Sequence, residues 1–140
     1  MIFTPDPIFT CATYNIDGLP QKVLGFITVN NDGPGSQGTK NISAKIAASG
    51  WDFVGFQEDF SYHSELTSSL NSAYIFGTHR KFSILSALGT ADTDGLEFAT
   101  LGSTCSWSNE TYVEFIEVHG GLTDGANESI KKGFRYYLVT

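Results

Sequence analysis

The sequence predicts an α/β fold, and three observations carry that expectation. Helix-like and strand-like segments alternate through the first half in the order β-α-β-α-β, and strand-like segments dominate the second half. At 140 residues the chain is one domain's worth and long enough to bury a core. Its 41% hydrophobic and 14% aromatic content is globular rather than disordered. A sheet layered with helices on one face accommodates that order of elements. No internal repeat or interdomain linker interrupts it.

The elements follow in sequence. Phe9–Ile16 alternates as a strand, and Asn15-Ile-Asp-Gly-Leu-Pro20 ends it with residues that break strands. Asn30–Gly38 reads as a loop, because Asn, Asp, Gly and Pro fill most of it and leave little to bury. Asn41 caps a predicted helix over Asn41–Ser49, with Ile42 and Ile46 one turn apart and Gly50 as its stop. Trp51–Gln57 is an apolar strand, expected to be covered on both faces. Leu66 and Leu70, at i and i+4, predict a second helix within Tyr62–Asn71. Ala73–Phe76 is a brief strand closed by Gly77. Phe82–Leu88 and Gly95–Leu101 are strands on either side of a Gly-Thr-Ala-Asp-Thr-Asp-Gly turn, and Thr111–Val118 is another strand. Gly120–Asn127 is a loop, and Gly133–Val139 is a final apolar strand. That last strand has no following segment to pair with, and exposed strand edges are normally covered. The expectation is a longer domain cut at this point.

Charge and composition narrow the partners. Fifteen acidic against eight basic residues give a net charge of −7, a poor surface for tracking a nucleic-acid backbone. That balance leaves small phosphate esters, which need only a local basic group beside a metal, open as substrates. No apolar run approaches the ~20 residues that span a bilayer. The N-terminus lacks the basic and apolar regions of a signal peptide. Three glycosylation sequons, at Asn41, Asn109 and Asn127, lean instead toward an exported parent. Cys11 and Cys105 are either a pair or two lone thiols, and no His/Cys spacing suits zinc.

The most informative segment is Asp52–Asp59, Asp-Phe-Val-Gly-Phe-Gln-Glu-Asp: a buried strand that stops on carboxylates. A rigid strand end presenting carboxylates is a common way to hold a hard cation. Mg²⁺ takes oxygen ligands, usually one or two carboxylates with water and substrate phosphate completing the octahedron. Glu58 is the first candidate. The plainer alternative leaves Glu58 and Asp59 as solvated strand-end residues.

Four segments, in order, resemble the N-terminal half of the endonuclease/exonuclease/phosphatase superfamily, the DNase I-like group. They are Thr13-Tyr-Asn15-Ile-Asp-Gly-Leu-Pro, Asp52-Phe-Val-Gly-Phe-Gln57-Glu58, Thr93-Asp-Gly95-Leu96-Glu-Phe98, and Asp124-Gly-Ala with Lys132-Gly-Phe-Arg135-Tyr. The resemblance implies a four-layer α/β sandwich, of which residues 1–140 are an incomplete N-terminal portion. It implies a Mg²⁺-dependent phosphoesterase, with Mn²⁺ able to replace Mg²⁺, and Asn15 and Glu58 at the metal. His79 and Arg80, in Gly77-Thr-His-Arg80, are candidate phosphate contacts, since Arg suits planar oxyanions. His63, at the predicted helix start, is expected to cap or to face solvent.

The family's later Asp-x-Asn and Ser-Asp-His motifs, which carry the general base and the catalytic His, do not occur in this sequence. The expectation is therefore a phosphoesterase fragment, inactive or unstable alone. A non-catalytic remnant and an extracellular binding module are the alternatives.

Overall fold

The computed structural model describes residues 8–23, 25–28, 30–80, 95–114 and 133–140. The expected strand at 82–88, the last four residues (115–118) of the strand expected at 111–118 and the loop at 120–127 lie outside these residues, as does His119.

Strand β1 (Cys11–Asn15) leads to a small antiparallel hairpin, β2 (Lys22–Val23) and β3 (Ile27–Thr28), with Gly25 between them at φ 78°. Helix α1 (Gly35–Ser49) then crosses to β4 (Phe53–Gln57), and α2 (His63–Thr67) precedes β5 (Tyr74–Phe76) and β6 (Glu97–Leu101). Strands β7 (Trp107–Glu114) and β8 (Gly133–Val139) complete the described elements. The central sheet runs β1-β4-β6-β5. β1 and β4 are parallel, as a helical crossover permits, while β6 is antiparallel to both β4 and β5. The mixture of helices and layered sheet is the α/β class expected.

Cross-strand partners share a face, so the register sorts the core. Val54 and Ala99 face the helices with Phe56, and with Ile16, Ile46, Leu66, Leu70 and Tyr74 they form one buried cluster. Phe53 and Phe98 alternate to the opposite face. There Tyr137 of β8 stacks on Phe98, ring centroids 3.8 Å apart at 18°, and Trp107 meets Phe98 edge-on. The central sheet is thus covered by helices on one side and by the β7–β8 hairpin on the other. β8 was expected to lack a partner; instead it pairs antiparallel with β7 from Trp107↔Val139 to Glu114↔Gly133.

Helix α1 starts at Gly35, six residues before the expected Asn41, and takes in the end of the expected loop. Two glycines in the first turns make a poor helix start by propensity. Tertiary burial overrides it: Gly35 and Thr39 are buried, and the Thr39 hydroxyl donates to the Gly35 carbonyl at 2.8 Å. Asn41 lies inside the helix, where its Oδ1 accepts from Gln37 Nε2 rather than capping. The stop at Gly50 is as expected, in the left-handed conformation at φ 64°. Helix α2 is shorter than expected and ends at Thr67; Leu66 and Leu70 are nonetheless both buried. Cys11 and Cys105 are free thiols, the first exposed and the second buried. No helix among the described residues is long and apolar enough to cross a membrane.

Candidate metal centre

Parallel pairing sets Asn15 opposite Gln57, so β1 and β4 deliver their chains to the same edge of the sheet. Asn15 Nδ2 donates to Glu58 Oε1 at 2.8 Å. Asn15 Oδ1 accepts the Asp17 amide at 2.9 Å, a side-chain turn that folds the loop back on the strand end. Asp17 sits at φ 49°, and its carboxylate accepts from Asn30 Nδ2 at 2.6 Å. The two exit loops are laced together by backbone bonds. The Gly18 amide donates to the Glu58 carbonyl at 3.0 Å, and the Ser61 amide donates to the Gly18 carbonyl at 2.9 Å. A Cβ on Gly18 would run into that Glu58 carbonyl oxygen, which is why glycine serves there.

Glu58 itself has φ 58°, a conformation that is uncommon outside glycine and reorients the chain. Its neighbour Asp59 consequently does not join the exposed rim. Asp59 is fully buried, and its Oδ2 lies 2.6 Å from His63 Nδ1 and 3.8 Å from His79 Nδ1. Glu97 reaches the same spot through strand pairing. It is the register partner of Phe56, on the helix-covered face, and its Oε2 lies 3.5 Å from His79 Nδ1. Glu97 Oε1 accepts the Phe98 amide at 2.9 Å. The two imidazoles stack with centroids 3.7 Å apart at 17°. One ligand atom from each of Asp59, His63, His79 and Glu97 lies within 4.8 Å of the others, so the group could hold a metal ion. Buried carboxylates need compensating positive charge, from protonated imidazole or from a cation.

Of the residues singled out in the sequence, Asn15 and Glu58 are brought together in direct contact. His79 lies among the buried four. Arg80 is adjacent in sequence but stacks its guanidinium over the Tyr112 ring, 3.4 Å from the centroid. His63 neither caps α2 nor merely faces solvent, because its ring nitrogen is taken by Asp59. Asp59 is not a solvated strand-end carboxylate. The Asp59-x-x-x-His63 spacing, one helical turn, was the signal that could have joined that pair. No local pattern announces Glu97, whose position depends on the register of β4 with β6.

Comparison with protein-family models, curated proteins and solved structures returned no match for this chain.

Proposed function

We propose that this chain belongs to a metal-dependent phosphoester hydrolase, acting on a phosphodiester or phosphomonoester and built on the four-layer α/β sandwich of DNase I-like enzymes. The observation that carries the proposal is the 2.8 Å contact between Asn15 and Glu58 at the shared end of two parallel strands. The Glu58 carboxylate suits Mg²⁺ or Mn²⁺, on a half-buried rim where water and a phosphate oxygen can complete the shell; Asn15 turns its Nδ2 toward that carboxylate while its oxygen holds the Asp17 amide. A metal held there supplies Lewis-acid polarisation of the phosphoryl group. Asn15 orients the Glu58 carboxylate, and the laced loops keep both at the rim. Arg80 is the phosphate contact of this proposal, since a planar guanidinium suits oxyanions; the Tyr112 ring stacks on its face. His79, the other phosphate contact suggested by the sequence, lies instead against Asp59 and Glu97. The net charge of −7 favours a small ester over a nucleic acid.

The test is metal-dependent thermal unfolding of this chain, together with hydrolysis of bis(p-nitrophenyl) phosphate, with and without MgCl₂ or MnCl₂, by a full-length version that supplies the general-base and histidine motifs. The expected result is metal-dependent turnover that falls roughly 10²–10³-fold in Glu58→Gln, the scale of losing one preorganised electrostatic contact. Mg²⁺ should also raise the melting temperature of the parent but not of Glu58→Gln. An unaltered rate and an unaltered Mg²⁺ response in that variant would remove Glu58 from the chemistry.

A further inference from the structure

We propose that Asp59, His63, His79 and Glu97 form a second metal site, separate from the Asn15–Glu58 rim and selective for a transition metal of the Zn²⁺ kind. The inference stands on geometry and donor chemistry and does not depend on the phosphoester proposal. Two imidazoles and two carboxylates are a donor set for zinc rather than for Mg²⁺, which prefers oxygen alone.

Three features point to a ligand. Glu97 Oε2 and Asp59 Oδ1 are buried oxygens with no hydrogen-bond partner among the described residues, and both side chains are fully shielded from solvent. His79 Nδ1 is likewise buried without a hydrogen bond. Such groups are costly unless something satisfies them. Next, the spacing fits. Ligands about 2.1 Å from a tetrahedral Zn²⁺ lie about 3.4 Å from one another. The His79–Glu97 and His79–Asp59 separations are 3.5 Å and 3.8 Å. The His63–Asp59 contact, at 2.6 Å, is a hydrogen bond and too short for two ligands of one ion. On binding, that contact loses its proton and must lengthen to about 3.4 Å for His63 Nδ1 and Asp59 Oδ2 to share the ion. Last, the set is closed. Four protein ligands drawn from the end of β4, the start of α2, the segment after β5 and the start of β6 leave no open coordination position. That is the pattern of a structural zinc rather than a catalytic one. The ion would cross-link four segments of the chain.

The experiment titrates the 140-residue protein with ZnCl₂ and CoCl₂. Co²⁺ should bind one-to-one and give the intense visible d–d bands of a tetrahedral site, which Zn²⁺ then bleaches. Zn²⁺ should raise the melting temperature by roughly 5–10 °C at about a hundredfold excess over Kd. His79→Ala should weaken Co²⁺ binding by more than about tenfold, the smallest loss expected even of an outer-shell partner. Glu58→Gln should leave the cobalt spectrum unchanged, which separates this site from the rim. The unmutated protein gives a readout that needs no variant. The ring ¹⁵N signals of His63 and His79 should both move with Zn²⁺. Absence of stoichiometric binding, or binding that leaves the His63 and His79 signals unmoved, overturns the proposal. Loss of the cobalt bands in Glu58→Gln overturns it as well, by placing the ion at the rim.

Discussion

Asp52 fastens the start of β4 to the start of β1 through a single carboxylate. Its Oδ2 accepts from the Thr10 amide at 2.8 Å and the Thr10 hydroxyl at 2.7 Å, and its own amide donates to the same hydroxyl. Hydrogen bonds from the Thr104 side chain first, and then from Thr10, hold this carboxyl below the ordinary aspartate value. A lowered folded-state pKa means the ionised form is preferred by the native state. Its stabilisation is therefore complete above the ordinary carboxylate range and is lost as pH falls through the folded-state value. Asp52→Asn should be less stable than the parent at neutral pH, with the gap closing in acid. Denaturant midpoints of both proteins at several pH values measure this; a gap that is constant with pH would mean the charge is irrelevant. The same scale shows what a sequence leaves open. Glu58 and Asp59 are neighbours of like chemistry, yet one backbone torsion sends the first to Asn15 and the second to His63.

At the scale of elements, the loops leaving β1 and β4 act as one unit because Gly18 lets their backbones touch. In Gly18→Ala the new methyl would press on the Glu58 carbonyl and sit 3.2 Å from the Phe60 nitrogen, and neither backbone atom can swing aside as a side chain can. Overpacking of this kind costs about 1–3 kcal/mol. The variant should melt several degrees lower than the parent. An unchanged melting temperature would show that the loops are not packed as described. Strand positions were legible from apolar alternation and turn residues: β1, β4, β5, β6 and β8 all fall within or at their expected ranges. The start of α1 was not. Gly35 and Gly38 argue for a loop locally, and only burial of Gly35 and Thr39 makes that turn helical. The β2–β3 hairpin, with two residues in each strand, is too short to leave a periodic signal.

For the whole molecule, the decisive contact is the docking of the β7–β8 hairpin on the central sheet through Tyr137, which packs on Phe98 and on Phe53. Burial, assisted by the nearby Glu110 charge, pushes the Tyr137 phenol up to about 12. Here the neutral form is preferred by the native state. The stabilisation is complete below the ordinary tyrosine value and is lost as pH rises from there toward 12. Alkaline titration followed at 295 nm should show one of the six tyrosines ionising last, together with loss of the near-ultraviolet dichroism of the docked rings. Tyr137→Phe should keep the stack and abolish the late step. If every tyrosine ionises near pH ~10, the hairpin is not seated on the sheet.

Asn15 became a candidate only through the family resemblance, whereas the amino-acid order alone determined the α/β class, the apolar strand that ends on carboxylates, and Glu58 as the first candidate at its end. These are local properties, written in periodicity and in residue type at strand ends. The buried quartet was invisible there, and no His/Cys spacing suggested zinc. Its members are spread from residue 59 to residue 97 and meet only because β4 and β6 pair in one register, with α2 packed over that end of the sheet. Registry between distant strands is set by how the whole core packs, a cooperative quantity that no short stretch of sequence encodes.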